Sequence, residues 1–154
     1  MFLPLLLACL SLCLGYPSGG PDGSCFDLLP QHGYSAAVGA PTGYSVKADG
    51  YHGGANTFEL VAPEGRQFIG FMAAVYDNEG NRRGEFTKST GARRTCNGES
   101  ITHSNSMLRP RQLLAWTPPT DLSEPLELRV TILESFEYFF HVKTKISSVH
   151  KQEL

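Results

Sequence analysis

Five histidines, His32, His52, His103, His141 and His150, are the residues closest in type to metal binding or proton transfer. None stands in a His-x-His or His-x₃-His pair, the spacings that bring two imidazoles to one side of a strand or a helix. His32 lies in Pro30-x-His32-Gly33 and His103 in Thr102-His103-Ser104. Hydrogen bonds that fix a loop are the ordinary work of such residues, and a His32/His103 metal site is the sharper alternative. The expectation is no metal and no cofactor. A serine nucleophile would need a sharp elbow such as Gly-x-Ser-x-Gly, which is absent, and the carboxylates form no distinguishable catalytic pair. No catalytic residue is nominated, and the chain is not expected to be an enzyme.

Charge is distributed unevenly. Residues 81–111 hold seven basic side chains, Arg82, Arg83, Lys88, Arg93, Arg94, Arg109 and Arg111, against Glu85 and Glu99, an excess of five positive charges. The rest of the chain holds six Lys/Arg against thirteen Asp/Glu, so a net charge of −2 conceals a polarised molecule. Gathered on one face, the seven would attract polyanions by summed Coulomb attraction: heparin-like glycosaminoglycans, lipopolysaccharide and other anionic microbial polymers, or phospholipid head groups. Scattered over separate loops, they would only be solvated. Nucleic acid is not an expected partner, because the chain carries the marks of export.

Those marks stand at the N-terminus. Phe2 to Leu14 is almost wholly apolar, too short for a membrane-spanning helix of about 20 residues but of the length of a signal-peptide core. Cys13 and Gly15 are small and two apart, which places cleavage after Gly15. Residues 1–15 are thus expected to be a signal peptide, residues 16–146 the domain and residues 147–154 a polar tail. No later run is apolar enough to anchor the chain, and the polar C-terminus does not fit a GPI signal. The expected product is secreted and carries no transmembrane segment. Lys151-Gln152-Glu153-Leu154 differs at one position from the Lys-Asp-Glu-Leu retrieval signal and makes retention in the endoplasmic reticulum an alternative. No Asn-x-Ser/Thr site is present.

Export also simplifies the cysteines. Cys9 and Cys13 leave with the signal, and Cys25 and Cys96 remain. In an oxidising compartment two cysteines most simply pair. The bridge would close a loop of about 70 residues, worth on the order of 4 kcal/mol if it acts by restricting the unfolded chain. Two buried free thiols are the alternative.

The elements that would carry these residues repeat every two positions. Phe58, Leu60 and Ala62 alternate with Thr57, Glu59 and Val61; Leu126, Leu128, Val130 and Ile132 alternate with Glu127, Arg129, Thr131 and Leu133; Tyr138, Phe140, Val142 and Thr144 keep the same beat. Half-buried antiparallel strands read in this way. Gln67 to Tyr76 is a longer apolar run, suited to a strand central in its sheet, and Gln112 to Trp116 is a short strand stopped by Pro118-Pro119. Asp49-Gly50, Gly53-Gly54, Pro63-Glu64-Gly65 and Asn97-Gly98 supply tight turns. Asp77-Asn78-Glu79-Gly80 predicts a hairpin joining Gln67–Tyr76 to Gly84–Lys88. Seven to nine short strands predict an all-β, two-sheet antiparallel sandwich. Trp116, the lone tryptophan, is expected in its core, near the disulfide.

The landmarks also have an order. Tyr16-Pro17-Ser18-Gly19 is followed by Cys25, Leu29-Pro30-x-His32-Gly33, Tyr44-Ser45-Val46, Phe68-Ile69-Gly70-Phe71-Met72, Gly84-Glu85-Phe86, Cys96, Ile101-Thr102-His103-Ser104 and Trp116-x-Pro118-Pro119. From about Tyr16 to Lys145 this series resembles the reeler domain. That module stands at the N-terminus of reelin and F-spondin, in small secreted insect defense proteins, and at the head of ferric-chelate-reductase-like ectodomains. The resemblance implies an immunoglobulin-like β-sandwich held by a Cys25–Cys96 disulfide, with no catalysis by the domain itself. The expected function is a secreted binding module of extracellular-matrix or innate-defence type. The alternative is the ectodomain portion of a ferric-chelate-reductase-like membrane protein, without redox activity of its own.

Overall fold

The computed structural model describes residues 16–33, 43–120, 122 and 124–149. The expected signal at residues 1–15, His150 and the retrieval-like terminus at residues 151–154 lie outside the described residues. Nine strands form among the described residues: β1 (Ser45–Lys47), β2 (Asn56–Val61), β3 (Gly70–Tyr76), β4 (Glu85–Thr87), β5 (Ala92–Thr95), β6 (Ser100–His103), β7 (Arg111–Thr117), β8 (Leu126–Leu133) and β9 (Phe139–Ile146). One sheet has the order β1-β2-β7-β4 and the other β5-β6-β3-β8-β9. All the pairings within them are antiparallel. The predicted all-β two-sheet sandwich is the observed fold. Helical structure among the described residues is limited to two 3₁₀ turns, Asp22–Cys25 and Cys96–Gly98.

The alternating pattern fixes which face each strand turns inward, because a one-residue slip would send every apolar side chain to solvent. Phe58 and Leu60 of β2, Phe86 of β4, and Leu114 and Trp116 of β7 are buried from the four-stranded side. Phe71, Ala73 and Val75 of β3 and Leu128, Val130 and Ile132 of β8 meet them in one continuous core. Each large side chain so buried contributes roughly 1.5–3 kcal/mol. The Trp116 ring packs against Tyr51 and Phe58. Its Nε1–H donates to the Arg83 carbonyl at 3.0 Å, satisfying the polar atom of a fully buried indole.

The long apolar run around β3 has its expected cause, since the strand is central in its sheet and buried along its whole length. Its second face carries Met72, Ala74 and Tyr76, which form a separate cluster with Leu28 and the half-buried Cys25 and Cys96. Trp116 is therefore core, as expected, but it is not beside the disulfide. The bridge lies on the outer face of the five-stranded sheet, with the main core on the inner face. The two-cysteine count carries no information about which face receives the bond.

The predicted hairpin after Tyr76 is also corrected. The turn forms: the Asp77 carboxylate accepts from the Glu79 and Asn81 amides, and Arg83 N–H donates to the Val75 carbonyl. Its second arm leaves at once for the other sheet, where β4 pairs with β7 through Glu85↔Thr117, Phe86↔Trp116 and Thr87↔Ala115. The crossing is made at Gly84, whose φ of +72° is left-handed and whose Cβ would stand 2.4 Å from the Thr117 carbonyl oxygen. Turn chemistry specifies a reversal, not the sheet that receives the returning strand. At the start of β9 the expected face is likewise displaced: Phe140 is buried but Tyr138 is exposed, and the strand begins at Phe139.

The two long edges of the sandwich are closed differently. At one, β1 lies against β9, and the chain after β9 pairs in parallel with Tyr51 (Tyr51 N to Ser147 O 3.0 Å, Val149 N to Tyr51 O 2.8 Å). At the other, β4 and β5, each the last strand of its sheet, face one another.

Removing the disulfide tests the two-cluster architecture. The C25A/C96A double variant should lose on the order of 4 kcal/mol in urea unfolding. Its Trp116 emission in native buffer should stay that of a buried indole, because the bond is outside the inter-sheet core. A red-shifted native spectrum would show that the bridge holds the core itself together.

Candidate functional site

The N-terminal segment, residues 16–33, lies across the outer face of the five-stranded sheet, and several of the sequence-selected residues hold it there. Cys25 is bonded to Cys96, with Cα atoms 5.6 Å apart and 71 residues between them in sequence. Arg93 Nε donates to the Ser18 carbonyl at 2.6 Å and its Nη2 to that of Gly20 at 3.3 Å. Gly20 N–H donates to Thr102 Oγ1, which itself donates to the Phe71 carbonyl. Gly19 makes this approach feasible: a Cβ there would stand 2.4 Å from the His103 carbonyl oxygen.

His103 completes the seam. Its Nε2 is 3.2 Å from the Tyr16 carbonyl oxygen, and its Nδ1 is 3.2 Å from both the amide nitrogen and the carbonyl oxygen of Phe71. Burial pushes the ring's pKa below its usual value, against the raising effect of the Phe71 and Tyr16 backbone groups. His32, near the end of the same segment, is edge-on to Phe136 and Phe139, and burial lowers its pKa as well. Between the segment and the sheet remains an apolar space of about 40 Å³, lined by Leu28, Ile69, Met72, Leu133 and Phe136 beside the two histidines. Among the described residues no group of three His, Cys, Asp or Glu side chains is placed to hold a metal ion.

The basic residues divide: Arg82, Arg83 and Arg94 flank the β4–β5 edge, Arg109 and Arg111 belong to the β6–β7 loop and the start of β7, and Arg93 is taken up by the N-terminal segment. Arg82, Arg83 and Arg94 line one cleft together with Glu85, Glu99 and Pro118-Pro119. Arg94 pairs with Glu85 at 2.9 Å, Arg83 reaches Asp77 at 3.8 Å and Glu124 at 4.0 Å, and Arg82 stands over the Tyr76 ring. Exposed Lys88 follows Thr87 of this cleft and precedes Ser89 of a second groove, so the strand connection links the two. The second groove, about 460 Å³, is lined by Ser89, Thr90, Asn105, Met107, Leu108, Arg109, Arg111 and Leu113 among others, and by no carboxylate. Exposed Arg111 and Lys47 share Glu59, at 3.2 and 3.5 Å.

Arg109 differs in kind from its neighbours. Nε donates to the Met107 carbonyl, Nη1 to Gly91 O and Gln112 Oε1, and Nη2 to Asn105 O and Oδ1, all within 3.1 Å. All five guanidinium N–H groups are thereby used, and they fix the loop between β6 and β7. Nothing in the order of residues marks Arg109 as a loop organiser or Met107 and Leu108 as displayed side chains. Their roles depend on Gly91 and Gln112, which the fold brings from neighbouring segments.

The arrangement defines a class: a two-sheet β-sandwich whose outer face is covered by a disulfide-tethered N-terminal segment, with cationic grooves along one edge. The chain belongs to the reeler domain family, whose model matches residues 23–154. This is the family implied by the order of landmarks. The chain is 28% identical to the Drosophila melanogaster "Defense protein l(2)34Fc", across 93% of this chain and 95% of that one. It is equally 28% identical to the Danio rerio "Putative ferric-chelate reductase 1", across 94% of this chain but only 27% of that longer protein. The human F-spondin reeler domain shares the fold, with a TM-score of 0.61 at 20% identity over 75% of this chain and 94% of that domain. A second structure, the Reelin-N domain of F-spondin, gives 0.60 over 76% and 93%.

The histidines give the molecule a pH signature. His103, His32 and His141 all have pKa values lowered chiefly by burial from an ordinary 6.5. The unfolded chain therefore binds more protons than the folded one at mildly acidic pH. Their contribution to stability is complete above the unfolded value and is lost as pH falls below it. The urea midpoint should be flat from about pH 8 to 7 and fall between about pH 6.5 and 5. The fall should be shallower in His103→Gln. An identical slope in that variant would show that His103 does not titrate differently in the folded state.

Proposed function

We propose that this chain is a non-enzymatic extracellular binding module that holds anionic polymers, such as heparin-like glycosaminoglycans or lipopolysaccharide, along the β4–β5 edge. The observation that carries the reading is the placement of the basic residues between Arg82 and Arg111. Five of the seven, Arg82, Arg83, Arg94, Arg109 and Arg111, come from three stretches of chain yet line two grooves joined by the Lys88 connection. Within this set the division of labour is unequal. Arg93 and Arg109 are committed to backbone carbonyls. Lys88, Arg94 and Arg111 are exposed and able to turn toward a ligand. Similarity over nearly the whole length of an insect defense protein supports an innate-defence setting.

A second reading places the same module in the extracellular part of a ferric-chelate-reductase-like protein, supported by equal identity to the zebrafish relative. On that reading too the module is a binding unit of a longer protein, of which this chain matches 27%.

Retention of the full chain on heparin-agarose and on immobilised lipopolysaccharide, eluted with rising salt, tests the proposal. The wild-type chain should be retained at low salt and released as screening increases. The K88Q/R94Q/R111Q variant, which leaves Arg93 and Arg109 in place, should elute at distinctly lower salt with unchanged Trp116 fluorescence. No retention at low salt, or equal retention of the variant, would falsify it.

A further inference from the structure

The groove at the Arg111 end of the basic edge differs from the cleft at the Arg82 end. In the cleft, the guanidinium groups are matched by carboxylates: Glu85 on Arg94, and Asp77 and Glu124 on Arg83. In the groove no lining residue is acidic. Glu59, which pairs with Arg111 of its lining, is shared by two cations. Around the groove Lys47, Arg109 and Arg111 thus outnumber Glu59 by two charges.

The groove is also apolar. Met107 and Leu108 are 70% and 60% exposed, and Leu113 on the adjoining β7 is 55% exposed. Large apolar side chains singly at a surface need no explanation, but three around one groove do. The loop that presents them is tightly held. Arg109 spends its five donors on it, Asn105 Oδ1 accepts from Met107 N–H, and Arg109 and Phe68 exchange both backbone hydrogen bonds at 3.0 Å. A loop fixed in this way displays Met107 and Leu108 without further ordering on binding, which is the energetic advantage of a preformed site.

We propose that this groove docks on an acidic phospholipid surface, with Met107, Leu108 and Leu113 entering the boundary between headgroups and acyl chains and Arg111 and Lys47 meeting headgroup phosphates. Apolar contact combined with cationic attraction is what holds amphipathic surfaces on anionic bilayers. A sulfated glycan would use the cations and leave the three apolar side chains in water. The inference rests on the polyanion reading for its charge and on the apolar loop for its choice of partner.

Co-sedimentation of the full chain with phosphatidylcholine vesicles, with and without phosphatidylglycerol, is the test. Binding is expected only with the acidic lipid and should weaken as salt rises. The M107S/L108S variant removes apolar surface without adding charge. It should partition onto acidic vesicles at least about tenfold more weakly, yet keep wild-type retention on heparin. R111Q should weaken both. Absent vesicle binding with heparin retention intact overturns this inference and leaves the polyanion reading standing; loss of both overturns the two together. Equal binding to neutral vesicles, or unchanged partition of M107S/L108S, also overturns it. So does a concentration-dependent dimer that M107S/L108S abolishes in a chain that ignores vesicles, which would assign the loop to a second copy.

Discussion

The covering of β3 on both faces is the constraint on which the rest of this structure depends. A sandwich needs its strands apolar on the inner face only. Here Met72, Ala74 and Tyr76 make the outer face apolar too, and water must be excluded from it. The N-terminal segment does this without being a strand, so it cannot be held by a ladder of backbone pairs. It is held by what can be supplied piecemeal: one covalent bond to Cys96, the Arg93 guanidinium on two carbonyls, Thr102 Oγ1 and the His103 ring. Residues that in isolation resemble candidates for chemistry are fastenings. His103 in particular is buried and has backbone groups against both ring nitrogens, which suits a strut.

Much of this was legible before any coordinates. Alternation in β2 and β8 specifies the inner face, because a one-residue shift would expose every apolar side chain. The long run around β3 was readable as central for the same reason. The Cys25–Cys96 pairing was the simplest expectation once Cys9 and Cys13 were assigned to a signal peptide, and it was implied by the reeler resemblance. Illegible was everything decided by a third body. The Asp77 turn closes as its residues dictate, but Gly84 then sends the strand across to β7, and the tight approach of Trp116 that requires a glycine there exists only in the folded molecule. The disulfide's side of the sheet was equally hidden, since a sequence separation has no handedness.

The basic segment shows the same division at the level of charge. An excess of five over residues 81–111 is a property of the chain; how much of it reaches solvent is a property of the fold. Asp77 and Glu124 come from outside most of that segment to meet Arg83, and Glu59 comes from β2 to meet Arg111. Local charge in a β-sandwich is thus a poor measure of surface potential, because neighbours in a sheet are distant in sequence. The residues that matter to a ligand are those left between the internal pairs.

The pairing of the last described residues with Tyr51 has an architectural meaning. It delivers the chain, at Val149, to the β1–β9 edge, across the sheets from the cleft beside β4 and β5 that Arg82, Arg83 and Arg94 line. Any module joined beyond that point would hang from the far side of the sandwich. The cationic edge would then face outward, away from whatever the domain is tethered to, so the same fold can serve as a free-standing unit or as the leading tip of a longer protein without rearranging its surface.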